Sequence, residues 1–140
     1  MSMMHTPWVR FISIASLKWL ANWFLVAIFL AVVPRSIQGY GLAVCVWVLS
    51  FIIAFIFAQW AFSKRMPDRR DTIALCAVWA IVMIVFQSFW EFFQYGQLIF
   101  SFLSVDILGT IVFELIAVVL ASSVTRRHRL RGAVGEGMEG

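Results

Sequence analysis

The chain has 140 residues, of which 63% are hydrophobic and only 13% are charged. A soluble domain is typically about 45–50% apolar and about 25% charged, so a soluble protein of this composition would expose long apolar surfaces to water. The formal charge of +4 is confined to short clusters between apolar runs, which is typical of a membrane protein and argues against a nucleic-acid partner. The composition therefore predicts an all-α integral membrane protein.

Four apolar runs are each long enough to cross a bilayer as a helix, which takes about 20 residues. In chain order they cover residues 16–33, 41–62, 72–95 and 103–124. Helices are expected because a lipid-exposed backbone must satisfy its own hydrogen bonds. The connections are short, so we expect sequential helices to pack as antiparallel neighbours in a four-helix bundle. Residues 1–125 are then one transmembrane domain.

The segment before the first apolar run has two interpretations. The sequence "PWVRFISIASLKW" either lies in the membrane interface or extends the first helix. Lys18 stands at the start of the predicted span, where a long amine side chain can reach the headgroup region. We therefore expect Lys18 to extend towards the interface.

Basic residues set the predicted orientation. Arg10 precedes the first span and Lys18 stands at its start, and four basic residues occupy the second connection, "SKRMPDRRD". The first connection has only Arg35, and the third, "GQLIFSF", has no charge. By the positive-inside rule, both termini face the cytoplasm, as in a multi-pass protein of the inner, or plasma, membrane.

The C-terminal tail, residues 126–140, is predicted to be basic and then disordered, because "GAVGEGMEG" is rich in glycine. Its basic part is a candidate site for anionic lipid headgroups, although positive-inside topology explains the same charges. The residues concerned are Arg126, Arg127, Arg129 and Arg131.

Polar residues form two stripes inside the third and fourth apolar runs. Residues three, four and seven apart share one face of a helix. The stripes are Gln87, Glu91 and Gln94 in the third run and Asp106, Thr110 and Glu114 in the fourth. An uncompensated acid at the centre of a membrane helix costs about 2.5–3.5 kcal/mol on insertion scales, so such acids are functional candidates. We expect the stripes to face each other and to form an acidic polar cleft between the third and fourth helices, near the outer face.

A structural role explains the same acids. Glu91 and Asp106 would then reach the outer headgroups, while Glu114 would make a hydrogen bond between helices. The sequence shows no nucleophile–base pair and no phosphate-binding loop, and His5 and His128 lie in opposite tails. It therefore predicts no cofactor and no metal site, and it leaves an enzymatic activity undecided but disfavoured.

The stretch "EFFQYGQLIFSFLSVDILGT" resembles the C-terminal half of VanZ-like membrane proteins. Glu91 and Gln94 match that family's acid and glutamine three residues apart, and Asp106 matches the aspartate near the start of its next helix. The loop arginine usual in the family is missing, with Phe100 near its place, and Thr110 replaces an asparagine. The resemblance implies a small bacterial protein of the cell envelope with about four membrane helices, in a family linked to glycopeptide-antibiotic resistance.

Three functional hypotheses follow. The first is an envelope-associated binding or resistance protein of VanZ-like type, with its ligand in the cleft between the third and fourth helices. The second is an accessory subunit of a larger membrane complex, and the third is an oligomeric proton-coupled transporter or channel that uses Glu114. The expected partners are membrane lipids, together with another membrane protein or further copies of the chain.

Overall fold

The computed structural model describes residues 7–64, 66–100 and 103–138. It contains four helices, α1 (Trp8–Val32), α2 (Tyr40–Ala61), α3 (Arg69–Tyr95) and α4 (Val105–Met138). Each is long and apolar enough to cross a membrane, which confirms the helical class and the four candidate spans. Four parts of the predicted regions lie outside the described residues, namely residues 1–6, Arg65 in the basic connection, residues 101–102 in the third connection and residues 139–140 in the tail.

Local sequence explains where the helices begin and end. Val33 is extended, with φ −60° and ψ 137°, because the ring of Pro34 disfavours a helical conformation in the residue before it. α3 begins at a capping box, in which the backbone N–H of Asp71 donates to the carboxylate of Asp68 at 2.7 Å and the N–H of Asp68 donates to the carboxylate of Asp71 at 3.5 Å. α3 ends at Gly96, whose φ of 70° favours a residue without a Cβ atom.

Two helix boundaries differ from the sequence predictions. α1 starts at Trp8, so the segment before the predicted span extends the helix, and Lys18 lies about three turns inside it. α4 continues to Met138, where the sequence predicted a disordered tail. The arginines and leucine that follow the apolar run favour a helix. Two of these side chains also bind the α2–α3 connection, since Arg126 donates to the Pro67 carbonyl at 3.1 Å and Arg129 donates to the Ser63 carbonyl.

The helices pack in a ring rather than in chain order. α1 packs against α2 and α3, and α4 packs against the same two helices. Within the described residues α2 and α3 do not pack together, so the expectation that all sequential helices are neighbours is wrong for this pair. α2 packs against α4, and each of these helices buries small residues in the core, Ala54 and Ala58 on α2 and Ala117 and Ala121 on α4. Small side chains let two helix backbones approach closely.

The two ends of the bundle differ in how they are filled. One end, which we call the basic end, holds Arg10, Ser63, Arg126 and Arg129, and there the guanidinium of Arg10 donates to the carbonyl of Trp60 at 2.6 Å. The hydrophobic core occupies the half of the bundle next to it. The other end, which we call the cavity end, is formed by Leu30, Tyr40, Gln94 and Asp106, and it contains two cavities. The core members are Phe11, Ile14, Ala15, Ala54, Ala58, Ala61, Phe62, Ala74, Leu75, Val78, Trp79, Ala117, Val118 and Ala121.

Candidate functional site

A buried ion pair joins α1 to α4 across the centre of the bundle. The ammonium of Lys18 donates to Oε2 of Glu114, and the two side chains are 1% and 0% exposed. The indole N–H of Trp79 donates to the same oxygen at 2.9 Å, and the Lys18 ammonium lies 5.2 Å from the centroid of the Trp79 ring. The expectation that Lys18 extends to the interface is therefore wrong. Because α1 begins at Trp8, Lys18 is too deep in the bundle to reach its end.

The stability of the bundle is sensitive to the loss of either partner of the ion pair. Two charges in an apolar interior attract strongly, but the removal of one leaves the other unpaired, which typically costs about 3–5 kcal/mol. The second carboxylate oxygen of Glu114, Oε1, is buried and has no hydrogen-bond partner in the described part of the chain. The cluster of Lys18, Trp79 and Glu114 therefore joins α1, α3 and α4, and it leaves Oε1 of Glu114 as an acceptor without a donor.

A cavity of about 430 Å³ lies next to this ion pair, towards the cavity end, and we call it the central cavity. All four helices line it, and its polar lining residues are Asn22, Ser50, Gln87, Gln94 and Thr110. The hydroxyl of Ser50 donates to Oδ1 of Asn22 at 3.0 Å. Asn22 follows Lys18 by one helical turn, and Thr110 precedes Glu114 by one turn. The ion pair therefore lies one turn below the polar residues of the cavity.

A second cavity of about 500 Å³ adjoins the first, and we call it the side cavity. α1, α2 and α4 line it together with Gly39 just before α2, and its distinctive members are Tyr40, Trp47 and Asp106. The two cavities share five lining residues, Val26, Leu30, Val46, Ile107 and Thr110. They therefore form adjoining parts of one space between the helices.

Gly109 leaves room for Trp47 to pack closely against α4. Its indole N–H donates to the backbone carbonyl of Asp106 at 3.0 Å, and its ring stacks on Phe113 with centroids 5.6 Å apart. A Cβ atom at Gly109 would lie 2.6 Å from two atoms of the Trp47 ring. Glycine at position 109 is therefore what lets the indole lie flat against the first turns of α4.

The six polar residues predicted from the sequence separate into four places. Gln87, Gln94 and Thr110 line the central cavity, and Asp106 lines the side cavity. Glu114 belongs to the ion pair below them. Glu91 is only 2% exposed, and its carboxylate accepts a hydrogen bond from the backbone N–H of Ile99 at 3.3 Å, in the α3–α4 connection. The space next to these residues is bounded by all four helices rather than by α3 and α4 alone.

The four C-terminal arginines also separate. Arg126 and Arg129 bind backbone carbonyls of the α2–α3 connection, as described above. Arg127 and Arg131 are exposed on the part of α4 that continues past the core. Only the second pair is thus placed to meet an outside ligand without breaking a contact to the rest of the chain.

Sequence reasoning missed Ser50 and Trp79 and misplaced Lys18. Lys18 and Asn22 are four residues apart, a spacing that puts both on one face of a helix, and this spacing was the available signal. A lone serine or tryptophan in an apolar helix carries no comparable pattern. Their roles depend on which helices are neighbours, and the ring arrangement was not predicted.

No protein-family model, no curated protein and no solved structure matches the chain. The resemblance to VanZ-like proteins therefore stays a prediction that rests on Glu91, Gln94 and Asp106. The fold and the site define a small helical protein with four candidate membrane spans, a buried ion pair and a polar cavity beside it.

Proposed function

We propose that the chain is a multi-pass protein of the bacterial inner membrane that binds an amphiphilic ligand between its four helices. The helices cross the bilayer as an antiparallel bundle with both termini in the cytoplasm, so that the cavity end lies in the outer leaflet. The distribution of basic residues supports this orientation. The apolar surface supports insertion, since large side chains such as Phe24, Val85 and Val112 are exposed over most of the length of the helices.

The observation that carries the proposal is the central cavity. Its volume of about 430 Å³ lies within the range of about 300–1,000 Å³ that is usual for small-molecule sites. Polar side chains from four separate helices converge on it, although each helix is otherwise apolar. A few polar groups within an apolar wall are typical of a binding site, because they orient a ligand whose body is held by apolar contacts.

The test is a cavity-filling variant with a matched control on the same helix. Val46 lines both cavities, whereas Val48 is 48% exposed on the outer surface of α2. We expect Val46→Phe to fill the cavities and to lose a small molecule that co-purifies with the wild-type protein from native membranes. Val48→Phe adds the same volume outside and should keep it. Native mass spectrometry measures both.

Two outcomes of that measurement would count against the proposal. The same bound molecules on Val46→Phe and on the wild type would show that the cavity does not hold them. A second protein at a fixed ratio, with no small molecule, would favour the accessory-subunit hypothesis instead. With the C-terminus in the cytoplasm, we also expect the exposed Arg127 and Arg131 to bind anionic headgroups on that side.

The unpartnered oxygen of Glu114 favours a second candidate, proton-coupled transport by an oligomer of this chain. The Glu114 carboxylate is buried and ion-paired with Lys18, and its Oε1 atom has no hydrogen-bond partner among the described residues. It lies one turn below a polar cavity, so it is suited to exchange a proton with a ligand in that cavity. Glu114→Gln should then abolish ligand-driven proton flux in reconstituted vesicles. Flux that is equal in the variant and the wild type would exclude this role.

A further inference from the structure

The two cavities contain a single charge. Among the described residues that line either cavity, Asp106 is the only one with a charged side chain. Its backbone carbonyl accepts hydrogen bonds from Trp47 and from the Thr110 hydroxyl, at 3.0 and 2.9 Å. Its carboxylate makes no hydrogen bond or ion pair within the described part of the chain. The carboxylate is therefore open to a ligand.

The position of Asp106 supports a negative charge in the side cavity. It stands in the first turn of α4, where the amide dipoles of a helix favour an anionic group. The apolar residues around it, such as Val46 and Ile107, offer no cation to neutralise it. Asp106 is exposed, so a ligand can approach it; an anionic ligand would be repelled there, and a neutral one would gain no attraction from the charge.

Aromatic rings surround the same space. Tyr40 and Trp47 line the side cavity, and Trp19, Trp23 and Trp90 line the central cavity. Trp23 and Trp90 pack edge to face with ring centroids 5.1 Å apart. The face of an indole attracts a cation, and clusters of aromatic rings recognise cations that carry apolar groups.

We propose that the ligand is a lipophilic cation, an apolar molecule with one positive charge that pairs with Asp106 while its body lies among the tryptophans. This inference rests on the proposed function and adds the ligand's charge. Asp106 would pair with the positive charge, and the apolar wall that the two cavities share would contact the body of the molecule. The aromatic rings can contact both parts.

The test compares two probes of the same shape and opposite charge. Tetraphenylphosphonium is a lipophilic cation, and tetraphenylborate is the matching anion. The protein is purified in an uncharged detergent, and binding is followed by quenching of tryptophan fluorescence. We expect saturable binding of the cation and none of the anion, with the cation's affinity reduced about tenfold or more in Asp106→Asn, because the Coulomb attraction between the two charges is lost.

Two controls separate charge from folding. Glu136→Gln removes the same charge from the exposed end of α4, far from the cavities, and should leave the affinity unchanged. Asp106→Glu keeps the charge and should retain most of the binding. An unchanged affinity in Asp106→Asn, or equal affinity for cation and anion, would overturn the inference.

The outcome also distinguishes this inference from the proposed function. If neither charged probe binds but a neutral molecule co-purifies with the wild type and not with Val46→Phe, the cavity is a binding site and the cation inference fails. If the cavity-filling variant changes the binding of no molecule, both fail.

Discussion

Replacing Lys18 with methionine tests whether the buried ion pair holds the bundle together. The substitution keeps the length and the apolar stem of the side chain but removes the charge that Glu114 faces. Glu114 is then left, fully buried, with only the indole N–H of Trp79 as a hydrogen-bond donor, at 2.9 Å. We expect a loss of about 3–5 kcal/mol of stability, as for other buried ion pairs that lose one partner.

The loss of stability is large enough to measure as a lower melting temperature. For a chain of this length, 1 kcal/mol corresponds to about 3 °C, so Lys18→Met should melt about 9–15 °C lower than the wild type. In the assay, the detergent-solubilised protein is heated to a series of temperatures, and size-exclusion chromatography measures the fraction that stays folded after each. Lys64→Met is the matched control, because Lys64 is exposed and its replacement should shift the melting temperature by at most about 2 °C.

The double variant decides whether the effect comes from the pair. Lys18→Met with Glu114→Gln removes both charges and keeps an acceptor for the Trp79 N–H. Replacing a buried pair by well-packed apolar residues is often neutral. The glutamine amide adds the cost of a buried polar group but no unpaired charge, so the double variant should melt above Lys18→Met alone and closer to the wild type. The reasoning would be refuted if the two substitutions were simply additive, or if Lys18→Met behaved like Lys64→Met.

Two further predictions concern packing and capping. Gly109→Ala places a Cβ atom 2.6 Å from the Trp47 ring, so it should displace the indole and cost about 1–3 kcal/mol of stability. Gly135 has no neighbour within 4 Å of its Cβ position, so Gly135→Ala should be neutral or slightly stabilising in the same thermal assay. Asp68→Ala removes the capping box of α3 and should cost about 0.5–2 kcal/mol, and a melting temperature equal to that of the wild type would show that the cap does not stabilise the bundle.

The helices were predictable because their apolar runs are long and are separated by short polar connections. Pro34 and Gly96 mark two helix ends for reasons that apply to any chain. The start of α1 was not predictable in the same way, because Arg10 interrupts the apolar pattern before the predicted span. A span that begins at residue 16 places Lys18 near the interface, whereas the helix that begins at Trp8 places it deep in the bundle.

The candidate site was predictable only in part. Helical spacing identified the polar faces that carry Gln87, Gln94 and Thr110, because that spacing is a property of one helix. It did not show that α1 and α2 complete the cavity with Asn22 and Ser50, because the contacts between helices depend on the packing order. The acid that stands among aromatics at position 91 proved to bind the connection to α4 rather than to line the cavity.

Cysteine labelling in intact cells tests the central claim, a polar cavity that opens in the outer half of a membrane bundle, most directly. With Cys45→Ala and Cys76→Ala as the background, Gln87→Cys places a thiol in the central cavity, and Ile81→Cys places one on the exposed apolar surface of the same helix. A membrane-impermeant maleimide added outside should label the first and not the second, and tetraphenylphosphonium should slow that labelling. Labelling of Gln87→Cys only after the membrane is permeabilised, or equal labelling of both variants, would contradict the account.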